Sequence, residues 1–118
     1  GRTEAALQAT VARREQALIG YEQTVRQAFR ETLDALVASR QSREQAEAEA
    51  RRVDAQRRAT ALAELRYRNG VTSQLEALDA QRNLYQAEQN RLDAELARLA
   101  ASVDLYQALG GGWQADRP

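Results

Sequence analysis

Apolar and small residues recur every seven positions along most of the chain. Val11, Leu18, Val25, Thr32, Ser39, Ala46, Val53, Thr60 and Tyr67 form one such row, and Leu7, Tyr21, Phe29, Leu33 and Leu36 widen it over the first half. A seven-residue repeat keeps one stripe of an α-helix turned toward a partner helix. Residues 3–67 are therefore predicted as a single helix with one internal glycine, Gly20. At about 1.5 Å per residue it extends roughly 100 Å, too long to build a core by itself. It has to lie against other helices. From Ser39 to Arg58 the row thins, with Val53 its only large aliphatic residue. Alanine there permits close approach but buries little area, so this stretch is expected to need neighbours on more than one side.

The pattern breaks at residues 68–73, Arg68-Asn69-Gly70-Val71-Thr72-Ser73. Asn69 and Gly70 both tolerate left-handed backbone, so either can end the helix. Ser73 followed by Glu76 reads as a capping box that starts the next helix. That second helix is predicted over 74–109, with two heptad rows as its seam. Leu78, Tyr85, Leu92, Leu99 and Tyr106 form one row; Leu75, Arg82, Gln89, Leu96 and Val103 form the other. Gly110-Gly111-Gly112 stops it, and 110–118, with Trp113, reads as a glycine-rich stop and tail.

A short turn makes the two helices antiparallel neighbours. The expected fold is thus all-α: a long, coiled-coil-like antiparallel hairpin, with one helix of about 65 residues and one of about 35. The shorter helix reaches only the last part of the longer one. Leu7, Val11, Leu18, Tyr21, Val25 and Phe29 are then left with no partner in the chain. A bare apolar stripe calls for assembly, and alone the chain is expected to dimerise or form a four-helix bundle.

Composition supports this picture. There are one Pro, six Gly and only 5% aromatic residues, which suits helix seams better than a globular core. The 17 basic and 17 acidic residues are interspersed, with no basic face, so nucleic acid is not an expected partner. Pairs such as Glu22–Arg26, Glu47–Arg51 and Glu64–Arg68 have helix-supporting spacing and read as a solvated surface. Cys and His are absent, which excludes disulfides, thiol catalysis and the common zinc sites. No metal, cofactor or catalytic residue is expected, because no nucleophile–base pair and no phosphate-binding glycine loop is present. No apolar run has the length of a membrane span and no signal peptide is visible, so the chain reads as a soluble segment of something longer.

Two motifs then carry a resemblance. The stretch 67–85, YRNGVTSQLEALDAQRNLY, and the ending 103–113, VDLYQALGGGW, together resemble TolC-like and OprM-like outer-membrane efflux channels, in particular the lipoprotein branch serving resistance-nodulation-division pumps. The resemblance covers essentially the whole chain. It implies a homotrimeric conduit whose β-barrel crosses the outer membrane of a Gram-negative bacterium and whose α-barrel continues through the periplasm. This chain would be the helical part of its second structural repeat. A periplasmic adaptor and an inner-membrane pump are the implied partners. Asp79 and Arg82 match entrance positions. In a trimer, Asp79 becomes a ring of three carboxylates that favours cations, and Arg82 pairs with it within one helix or across protomers, or the two are an ordinary surface pair. Glu76 matches an acidic entrance position, and capping explains it equally. Tyr67 matches a tyrosine used in closure, and seam packing explains it as well. Asn69, Gly70, Val71 and Thr72 form the turn that would meet the adaptor. Two other readings stay open: a structural coiled coil with no transport role, and the α-hairpin of a periplasmic adaptor.

Overall fold

A computed structural model of the chain describes residues 1–110 as two α-helices joined by a tight turn. α1 is Arg2–Arg68 and α2 is Gln74–Ala108. The molecule measures 101 × 32 × 16 Å, close to the length of a straight 67-residue helix. It is an all-α antiparallel hairpin. Gly111, Gly112 and Trp113 lie outside the described residues, as does the rest of the expected tail.

α1 runs unbroken because proline is absent from it and its Ala, Arg, Gln and Glu side chains lose little freedom on a helix. It ends in a backbone-made stop. Gly70 has φ +71°, the Val71 N–H donates to the Arg66 carbonyl at 2.9 Å, and the Gly70 N–H donates to that of Tyr67 at 3.0 Å. This is the Schellman arrangement, and it needs a residue that accepts left-handed backbone. Gly70 takes that role, whereas Asn69 stays at φ −91° and donates its side-chain amide to the Leu65 carbonyl at 2.9 Å.

The pairing register is fixed at both ends by threonines. The Thr60 hydroxyl lies 3.1 Å from the Ala80 carbonyl and the Thr32 hydroxyl 3.3 Å from that of Ala108. Thr32 and Thr60 are four heptads apart, as are Ala80 and Ala108, so the helices run together without slipping. Each hydroxyl also lies within reach of a carbonyl in its own helix, Gln56 at 2.8 Å and Ala28 at 3.0 Å, and shares its one proton between the two acceptors. A side chain as short as threonine reaches a main-chain oxygen of the opposite helix only where the two backbones approach closely.

Small residues make that approach possible. On α1 the seam is Ser39, Ala46, Val53, Thr60 and Ala63, all buried, with Val53 fully so. On α2 it is a heptad of alanine: Ala94 and Ala101 are buried, while Ala80, Ala87 and Ala108 are half-buried. Buried Ala77 and half-buried Leu84 and Leu105 lie beside it. The sequence pattern is overturned here. Leu78, Tyr85, Leu92, Leu99 and Tyr106 are exposed, and so are Leu75, Leu96 and Val103. Apolar strength suggested those rows for the seam. The facing row on α1 is itself small, however, so small nests against small and the Leu/Tyr rows turn outward.

α2 ends level with Thr32, and every residue from Gly1 to Glu31 is exposed. Leu7, Val11, Leu18, Tyr21, Val25 and Phe29 are open, as their lack of a partner in the chain implied. The surface ion pairs are not those suggested by spacing. Glu22–Arg26, Glu47–Arg51 and Glu64–Arg68 do not form, whereas Arg40–Glu44 at 3.3 Å and Arg98–Glu95 at 3.4 Å do. Exposed pairs of this kind contribute little, so which of them closes matters little to the fold.

Candidate functional site

The tip of the hairpin gathers the residues singled out in the sequence. Ser73 stands at the N-cap of α2 with extended backbone, φ −77° and ψ 158°, but its side chain makes no capping hydrogen bond. The capping box is therefore not made. Glu76 reaches across the hairpin instead, its Oε1 3.7 Å from the Arg66 guanidinium. A second crossing lies one turn further in, where the Gln81 amide donates to Glu64 at 2.9 Å. Beyond it, Thr60 and Gln56 both address the Ala80 carbonyl, and the Arg57 guanidinium lies 3.6 Å from Glu88. The tip is a small polar lattice joining α1 to α2. Sequence spacing missed Arg66, Gln56 and Gln81, because their partners lie on the other helix.

Asp79 and Arg82 take no part in that lattice. Both are exposed, and among the described residues neither makes an ion pair, with each other or with anything else. They share the outward face of α2 with Leu75, Leu78 and Tyr85, since residues three, four and seven apart align on a helix. The charged pair thus interrupts an open apolar row near the tip. Tyr67 ends the α1 seam row and is 42% exposed, so it is only partly covered by the hairpin. Asn69, Gly70 and Val71 are exposed at the turn. Thr72 is half-buried, and its hydroxyl has no hydrogen-bond partner.

Such an arrangement offers contact surfaces, not chemistry. No group of three or more His, Cys, Asp or Glu residues able to hold a metal occurs among the described residues. No described helix is long and apolar enough to cross a membrane.

Comparison with known proteins supplies the remaining context. Residues 1–111 match the outer membrane efflux protein family. The chain is 43% identical over 118 residues to the pyoverdine export outer membrane protein OpmQ of Pseudomonas putida, covering all of this chain and 25% of that protein. It is 41% identical over 117 residues to the outer membrane protein OprJ of Pseudomonas aeruginosa, covering 99% of this chain and 24% of that one. It is also 38% identical over 114 residues to the cation efflux system protein CusC of Escherichia coli, covering 97% of this chain and 25% of CusC. The chain thus spans about a quarter of the length of these relatives. No solved structure matches it significantly. The resemblance read from the tip and from the glycine-rich ending holds, and the adaptor reading falls away. The chain belongs to the outer membrane efflux protein family.

Proposed function

We propose that this chain is a wall segment of the periplasmic helical tunnel of a homotrimeric outer-membrane efflux channel. Its tip would be the entrance end of the conduit. One observation supports this most directly: α2 closes an alanine row inside the hairpin and leaves a Leu/Tyr row open along its whole length. A helix with two usable faces suits a wall, in which each helix has a neighbour on either side. A self-sufficient hairpin would have turned its largest apolar residues inward. Such a wall does no chemistry. It confines a path, and the energy for export comes from an inner-membrane pump.

At the entrance, Asp79 and Arg82 are the proposed gate residues, with Tyr67 and Glu76 beside them. Three copies of Asp79 around a narrow opening would attract cations and repel one another, so opening relieves repulsion. Their freedom from ion pairs within the hairpin leaves both side chains available to neighbouring protomers. Asn69, Gly70, Val71 and Thr72 form the surface offered to a periplasmic adaptor. Adaptor binding would bias a two-state opening through better contact with the open form. Conductance of single channels of the full-length protein tests the gate. Asp79→Ala and Arg82→Ala are expected to change conductance or cation preference, and unchanged values in both variants would remove the gate from these positions.

A further inference from the structure

Cross-helix polar contacts are unevenly spread along the hairpin. Arg66–Glu76, Gln81–Glu64, Thr60 and Gln56 to Ala80, and Arg57–Glu88 all lie in the tip half. Thr32 to Ala108 closes the other end. Among the described residues, no hydrogen bond or ion pair joins α1 to α2 between Thr32 and Gln56. That stretch is held by apolar and small side chains without polar crossings, with Ser39, Ala46 and Val53 buried against the alanine heptad of α2.

In its midst stands Glu49, only 5% exposed. One carboxylate oxygen accepts from the Gln45 amide at 2.8 Å and from the Arg52 guanidinium at 3.2 Å, both on its own helix. The other oxygen, Oε2, is buried with no hydrogen-bond partner. On the register set by Thr60–Ala80, the cation opposite is Arg91, which is half-buried and makes no ion pair among the described residues. Glu49 therefore loses hydration when the helices close and gains no cross-helix partner in return. A buried acceptor left unsatisfied in this way costs free energy for as long as the seam stays shut. The surrounding alanines, with little area to bury, offer only modest compensation.

We infer that Glu49 makes the middle of the hairpin a built-in parting point, where α1 and α2 separate while the pinned tip moves as one unit. Separation there rehydrates Oε2, breaks no cross-helix hydrogen bond and exposes mostly methyl groups. Under the tunnel reading, this is the joint about which the entrance end would swing. The parting point is nevertheless a property of the hairpin, present whether or not the chain lines a channel.

Amide hydrogen exchange of the 118-residue chain tests it, comparing the natural sequence with Glu49→Ala, Glu49→Met and the exposed control Glu47→Met. In the natural chain, amides around 40–55 and 87–101 should exchange faster than those around 57–66 and 76–84. Removing the unsatisfied oxygen should slow exchange in the middle by roughly five- to a hundredfold, with the tip and the control unchanged. Alanine fits the small seam without crowding, so it guards against a poor fit of methionine. Slowing confined to the middle in Glu49→Ala sustains the inference. Middle amides as well protected as the tip in the natural chain, unchanged or faster exchange in Glu49→Ala, or equal slowing of middle and tip would overturn it.

Discussion

The same heptad positions of α1 serve two regions of different character. Above the hairpin they hold Val11, Leu18 and Val25, all exposed; inside it they hold Thr32, Ser39, Ala46, Val53 and Thr60, covered by α2. One face thus passes from large and open to small and closed within a single unbroken helix. Side-chain size on a helix face sets how near a neighbour can come. The lower half is cut for a backbone close enough for threonine to reach a carbonyl, whereas the larger side chains of the upper half would hold any neighbour further off.

Substitutions that exchange the characters of the two regions should have the largest effect. Ala94→Leu forces a large side chain into the closed seam and should cost about 1–3 kcal/mol of hairpin stability, read as a lowered urea midpoint by circular dichroism. Leu18→Ala should leave that midpoint within about 0.5 kcal/mol while weakening any concentration-dependent association seen by light scattering. An equal effect from both would mean that the upper face is buried within the chain after all. Gly70→Ala is next. Its Cβ would meet no neighbour, so the cost is purely conformational, about 1–2 kcal/mol for left-handed backbone, and thermal unfolding measures it. Thr60→Val keeps the shape of the seam and removes the hydroxyl that addresses Ala80. About 1 kcal/mol should be lost, with exchange faster near Ala80 than near Ala101. Smallest is Glu76→Gln, where the half-exposed contact with Arg66 is worth well under 1 kcal/mol and should vanish at high salt.

The helices, their antiparallel order, the unpartnered start of α1 and a stop at Asn69 or Gly70 were legible in the sequence, because periodicity and turn residues report on the chain's own backbone; that Gly70 takes the left-handed place was not. The α2 seam was not. Leu78, Tyr85 and Leu92 advertise burial more loudly than Ala80, Ala87 and Ala94, yet which row faces inward depends on what stands opposite. Ser39, Ala46 and Thr60 already carried that information, since a small row asks for a small partner. At the tip, Glu76 could be placed but its partner could not. Spacing along one helix favours Ser73, and only the three-dimensional register brings Arg66 alongside. For Asp79 and Arg82, the hairpin shows which face they share.

The turn at Gly70 is drawn by the main chain: two N–H groups, two carbonyls and one left-handed residue hold its shape. The exposed side chain of Val71 carries none of that structural duty. Substitution of Val71 therefore changes the surface of the tip without redrawing the hairpin behind it. If an adaptor docks at this tip as proposed, its choice and the stability of the hairpin would be separately adjustable, and new specificities would be selected there by mutations that leave the rest of the hairpin intact.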